Sequence, residues 1–249
     1  MDTSKLRPDT ARVWNKLAGH PALHGFVLIG GTALALRIGH RLSEDLDMVY
    51  PSLRLPQGQI GALLQSAPAS GLDFKLNQDP IAEDDFIDAG LELRDFQQNY
   101  IVDGSVKLSF FAPDHELGEL MRSAWQVDAP LRVATMEEIF ISKCLVCADR
   151  SKTRDWFDLY VLLTCHGYTM YDFYMAFKRF DALAKFDNAS GRLRRSKPPL
   201  ADEGYETLLP DPPTLDQMRQ YFEAQLDLLE SELAKIELAK GMPPTSNRP

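Results

Sequence analysis

Phe26-Val27-Leu28-Ile29-Gly30-Gly31-Thr32-Ala33-Leu34-Ala35-Leu36-Arg37-Ile38 decides the fold, taken together with Asp45-Leu46-Asp47 a short way downstream. Four β-prone residues run into a glycine pair, and mostly helix formers follow as far as Gly39. The pattern predicts a strand over 26–29, a glycine turn, and a helix over 33–38 closed by Gly39. A second strand is predicted over 46–50, stopped by Pro51. Side chains alternate along a strand, so Asp45 and Asp47 would share one face while Leu46 enters the core. With Cβ atoms roughly 6 to 7 Å apart, the two carboxylates repel by about 2 to 3 kcal/mol at an effective dielectric of about 20.

A divalent cation reverses the sign of that term. Mg²⁺ (or Mn²⁺) suits such a pair, because Mg²⁺ takes one or two carboxylates plus waters and substrate phosphates. Gly30 and Gly31 let a phosphate approach the backbone, and the following helix offers free N–H groups and a positive dipole end, with the Thr32 hydroxyl as a further donor. The same residues also allow a plain turn and an exposed strand edge.

Outward from this stretch, a leading helix is predicted over 10–17, a helix over 57–66 and a strand over 73–76. The run Glu83-Asp84-Asp85 reads as a solvated face. Strands over 97–102 and 105–111 flank Asp103-Gly104, a pair that favours a tight hairpin turn. After Pro113 helical signals dominate. Thr135 with Glu138 is a capping box for a helix through 147. Helices over 153–165 and 171–185 follow, and Thr214 with Gln217 opens a long helix reaching about residue 240. The segment 188–213, rich in Pro, Gly and charge, reads as a mobile loop. Domains are therefore expected at 1–114, a core with its leading helix, and 115–240, a helical half, with 241–249 as a frayed tail.

Composition bounds the partners. Among 249 residues, 27 Lys+Arg against 36 Asp+Glu give a formal net charge of -9. This argues against indiscriminate coating of nucleic acid, which needs a basic excess. The three cysteines, Cys144, Cys147 and Cys165, fit a reducing cytoplasm. No signal-peptide core opens the chain, and no apolar run approaches the roughly 20 residues a bilayer requires, so a soluble cytoplasmic protein is expected. Cys144 and Cys147 have zinc-like spacing but lie in a helical pattern without a second pair. Arg192, Arg194, Arg195 and Lys197 either grip an RNA backbone or keep their loop soluble.

Gly30-Gly31-Thr32, the helix after it, and Arg41-Leu42-Ser43-Glu44-Asp45-Leu46-Asp47 together resemble the signature of the nucleotidyltransferase superfamily. In particular they resemble the AbiEii/AbiGii toxin family, of the type IV toxin–antitoxin kind, which pairs Gly-Gly-Thr with Arg-x-Ser-x-Asp-hydrophobic-Asp. Downstream, Lys143 and then Arg150-Ser151-Lys152-Thr153-Arg154-Asp155-Trp156-Phe157-Asp158-Leu159-Tyr160 resemble the family's Lys…Arg-x-Lys-x-Arg-Asp-x-x-Asp-Leu motif. The likeness covers 25–163. It implies an α+β fold with a nucleotidyltransferase-like mixed sheet, flanking helices and a helical C-terminal half.

The resemblance also implies an activity, the transfer of a nucleotide from an NTP to tRNA or another target, and a cognate antitoxin. It marks Asp45, Asp47, Lys143, Asp155 and Asp158 as catalytic, with the first two on metal. Gly30, Gly31, Thr32, Ser43, Lys107, Arg150 and Arg154 are marked for phosphate. Spacing adds to this: on an uninterrupted helix Lys143, Cys147, Arg150 and Arg154 would fall on one face. Asp155 and Asp158 would then orient these cations or act as a general base. One position departs from the family. A third acid is usual on a neighbouring strand, and the hairpin strand here reads Val106-Lys107-Leu108-Ser109, which places Ser109 there unless Asp103 or Asp114 substitutes. Two other readings follow, a nucleotide-binding module without turnover and a transferase acting on protein.

Overall fold

The computed structural model describes residues 3–122, 130–195 and 211–241. They form two compact units, divided after Ser142.

The first unit is built on a six-stranded mixed sheet. Its elements are α1 (Pro8–Leu17), β1 (Phe26–Ile29), α2 (Gly30–Ile38), β2 (Leu46–Val49), α3 (Gln57–Ser66) and β3 (Phe74–Leu76). There follow α4 (Pro80–Asp88), β4 (Gln97–Val102), β5 (Val106–Phe111), α5 (His115–Arg122), β6 (Leu131–Val133) and the first half of α6 (Met136–Asp149). The strand order is β3-β4-β5-β2-β1-β6. β1 runs antiparallel to β2 and parallel to β6, while β2 and β5 are parallel. Four apolar residues make β1, and all four are buried, as expected of a strand covered on both faces. Leu46, Met48, Leu108 and Phe110 are fully buried on one face of the sheet, where Phe26 meets Phe110 edge-on at 5.2 Å. Asp103 and Gly104 both take positive φ and close the β4–β5 hairpin, as their sequence predicts.

Several elements differ from expectation. The helix after β1 begins at Gly30 itself, so the glycine pair forms its first turn. Glu83-Asp84-Asp85 is solvated as expected, but on a helix not predicted from the sequence: α4 starts with an Asp79 cap and Pro80 and buries none of its residues. β6 is a strand within the stretch read as helical, three residues long and pinned by the Arg37 guanidinium, which donates to the Val133 and Ala134 carbonyls.

The second unit is helical: the remainder of α6, then α7 (Thr153–Cys165), α8 (Met170–Lys178), α9 (Leu183–Leu193) and α10 (Leu215–Gly241). Trp156 meets Phe222 at 5.9 Å and Phe173 meets Phe177 at 5.3 Å, and all four are buried. The Thr135–Glu138 and Thr214–Gln217 capping boxes are both formed. The single helix predicted over 171–185 is two, parted at Asp181, whose φ of 54° breaks the helical path. Residues 188–193 of the expected mobile loop belong to α9. Arg192 donates to the Ala148 carbonyl and Arg194 pairs with Asp227 and Glu230. Lys197, the remainder of that loop to 210, and the tail from 242 lie outside the described residues. Among the described residues no helix is long and apolar enough to cross a membrane.

Candidate functional site

In the first unit the glycine turn and the aspartate pair are drawn together by a short set of hydrogen bonds. Thr32, on the first turn of α2, is buried and donates its hydroxyl to the carbonyl of Asp45. With that proton committed, the Ser43 hydroxyl donates to Thr32 Oγ1 at 2.8 Å. Thr10 holds the neighbouring carbonyl, that of Glu44, at 2.8 Å. The segment entering β2 is thereby clamped from two sides. The Thr32 hydroxyl, expected as a phosphate donor, instead positions Asp45, because burial leaves it no outward path. Ser43 is buried in the same way.

Asp45 and Asp47 are half-buried, and Leu46 between them is fully buried, so the alternation read from sequence holds. Gly30 has φ of 74°, and a Cβ added there would stand 2.9 Å from Asp47 Oδ2. The carboxylate therefore rests over the first residue of α2. A Cβ on Gly31 would collide with the Arg41 guanidinium. Arg41 is buried and donates to the Leu42 carbonyl at 2.9 Å. A cation packed on the N-terminal turn of a helix was not anticipated as a site feature, although Arg41 opens the Arg-x-Ser-x-Asp element.

In register, Asp47 lies beside Ser109 of β5, and Ser109 beside Asn99 of β4. The row Ile29, Asp47, Ser109, Asn99 thus crosses one face of the sheet. Ser109 occupies the place expected for a third acid. Asp114 caps α5 through Leu117 N at 2.9 Å, and Asp103 pairs with Arg12 and accepts from Asp73 N at 2.8 Å, so both alternatives are engaged elsewhere. Lys107 is exposed and shares the face of Ser109. Among the described residues no group of three or more His, Cys, Asp or Glu forms a metal cage. Two carboxylates beside a helix N-terminus match the donor set Mg²⁺ takes when waters and phosphates complete its shell.

The second motif makes a buried ionic cluster in the helical unit. Lys143 Nζ lies 2.9 Å from Asp155 Oδ1 and 2.7 Å from Asp158 Oδ2, and Arg150 Nε lies 2.9 Å from Asp155 Oδ2. Burial raises the pKa of Asp155, but Lys143 and Arg150 outweigh it and hold the carboxyl below the usual aspartate value. The one-face stripe on an uninterrupted helix is corrected: α6 ends at Asp149 and α7 begins at Thr153, so the chain turns between Arg150 and Arg154. Cys147, assigned to that stripe, is buried, and burial pushes its thiol up to about 12. Cys144 is raised as well, by the same cause.

The family model described as nucleotidyl transferase AbiEii toxin, type IV toxin–antitoxin system, matches residues 12–240. The chain belongs to this AbiEii family. It is a nucleotidyltransferase of a toxin family from type IV toxin–antitoxin systems, and membership implies an NTP substrate and a cognate antitoxin. The uncharacterized protein aq_aa25 of Aquifex aeolicus (strain VF5) is 25% identical over 167 residues, 67% of this chain and 71% of its own length. Among solved structures, JHP933 from Helicobacter pylori is 19% identical, with 93% of this chain and 94% of that chain covered at a TM-score of 0.50. MenT4, nucleotidyltransferase toxin Rv2826c from Mycobacterium tuberculosis H37Rv, is 14% identical, with 87% and 84% covered and a TM-score of 0.50. These likenesses give the AbiEii member its α+β, nucleotidyltransferase-like fold.

Proposed function

We propose that the protein transfers a nucleoside monophosphate from an NTP to an RNA acceptor such as tRNA, with Mg²⁺ (or Mn²⁺) bound by Asp45 and Asp47. One observation carries this reading: the Asp47 carboxylate rests over Gly30, at the N-terminal turn of α2. A phosphate seated on the N–H groups of Gly30 and Gly31 would thus lie beside the metal-binding pair. Bound metal supplies Lewis-acid charge neutralisation at the phosphates.

The chain's own groups do the positioning. Thr32 and Ser43 hold Asp45 at its backbone, and Arg41 adds a fixed positive charge against Gly31. An acceptor hydroxyl bonds the α-phosphorus through its oxygen and gives its proton to solvent, the bond from that phosphorus to the bridging oxygen breaks, and pyrophosphate leaves. Within the helical unit, Asp155 and Asp158 orient Lys143, to which the family motif assigns a catalytic role, and the motif assigns Arg150 and Arg154 to phosphate. Lys107 is assigned to phosphate on the exposed sheet face. Ser109 beside Asp47 favours a second reading, nucleotide binding without turnover.

Incubation of the purified protein with Mg²⁺, each NTP labelled at the α-phosphate, and total RNA separates the readings. Label in RNA with pyrophosphate release supports the proposal. Saturable binding without transfer supports the second reading, and label in protein bands moves the acceptor to protein.

A further inference from the structure

β3 is an edge strand, and beside it a cavity of about 490 Å³ opens on the sheet face opposite Asp47. Ile60 and Leu64 of α3, Leu72, Phe74 and Leu76 supply its apolar walls. Its polar floor is already satisfied: Tyr100 donates to Gln98 at 2.7 Å, Gln98 to Gln57 at 2.8 Å, and Gln57 to the Arg94 carbonyl at 2.6 Å. The apolar walls take apolar side chains, and Asp73 and Glu83 in the same lining suit a cationic neighbour. Leu76 is 56% exposed at its mouth, and on α4 nearby Ile81 is 73% and Ile87 65% exposed.

The backbone of β3 is equally suggestive. Asp103 N donates to the Asp73 carbonyl and Asn77 N to the Asn99 carbonyl, so residues 73, 75 and 77 turn toward β4. By the two-residue alternation, the peptide groups of Phe74 and Leu76 point to the open edge. Between Asp73 and Asp95 the sequence carries eight carboxylates against Lys75 and Arg94. That surplus repels RNA, and it would also repel a second copy meeting the same edge.

We propose that this edge and cavity form a docking site for a cationic, extended segment of a partner protein. The segment adds as a strand along β3, places alternate apolar side chains in the cavity, and sets Lys or Arg against the acidic rim. The site is independent of the transfer reaction.

The test uses a fluorescent nonapeptide alternating lysine and leucine, its glutamate–leucine counterpart, and a short single-stranded RNA. A Cβ at Gly61, on the cavity-facing side of α3, meets nothing within 4 Å, so Gly61→Leu fills the cavity without disturbing charge. The lysine–leucine peptide is expected to bind by anisotropy and to slow amide hydrogen exchange at Phe74 and Leu76. Gly61→Leu, with melting as the fold control, is expected to weaken binding by at least about tenfold. Equal binding to Gly61→Leu, equal binding of the glutamate peptide or the RNA, protection elsewhere, or self-association through this edge in sedimentation would overturn the proposal.

Discussion

Ser109 stands directly beside Asp47 in the parallel register of β2 and β5. A carboxylate at that position would join Asp45 and Asp47 on one sheet face and give a divalent ion a third anionic ligand. Ser109→Asp is therefore expected to tighten Mn²⁺ binding several-fold, read by titration with Mn²⁺ electron paramagnetic resonance. Unchanged affinity would mean that the metal does not sit between these strands.

The Thr32 hydroxyl and Gly31 support Asp45 and Arg41 by different means, and the two contributions separate by mutation. Thr32→Val leaves the part-buried Asp45 carbonyl without its donor, a loss of about 1 to 3 kcal/mol. Gly31→Ala forces the Arg41 guanidinium off the first turn of α2. Urea denaturation should show the first variant destabilised. Nucleotide affinity at saturating Mg²⁺ should fall in the second by more than its change in stability explains.

Lys143 neutralises two buried carboxylates, so its removal is costly. Lys143→Met takes that cation from both Asp155 and Asp158, leaving Arg150 on Asp155, and about 3 to 5 kcal/mol of stability should be lost. Pairing Lys143→Met with Asp158→Leu should recover much of that loss in urea denaturation; no recovery would mean that these two charges do not offset one another.

The depressed Asp155 sets an acid limit. Its folded pKa lies below its unfolded value, so the unfolded chain takes up a proton first as pH falls. The stability it contributes is complete above about pH 4 and declines as pH drops through the folded value. In Asp155→Asn, the difference in urea midpoint between pH 7 and pH 3 should shrink; an unaltered difference would place the acid sensitivity in other groups.

The parts of this architecture legible in sequence are those specified by neighbours along the chain. Gly30-Gly31 and Asp45-Leu46-Asp47 each declare themselves through local backbone freedom and alternation, and Asp103-Gly104 fixes the hairpin register that puts Ser109 beside Asn99. The Asp79-Pro80 start of α4 was also present locally, but the acidic run behind it masked the helix. β6 has only three residues, with Arg132 at its centre, and its identity as a strand comes from pairing with β1. Arg41 gave no local sign of packing on Gly31, because that contact depends on the return of 39–45 across α2. The turn between Arg150 and Arg154 was likewise hidden: spacing at helical intervals cannot show that the helix stops at Asp149.

Asp47→Asn removes one carboxylate charge while keeping the side-chain volume over Gly30, so it tests the central claim most directly. Transfer of α-phosphate label from NTP to RNA should drop by at least about a hundredfold, with the melting temperature within a few degrees of the parent. Undiminished transfer in a folded Asp47→Asn protein would contradict the assignment of metal and phosphate to this turn.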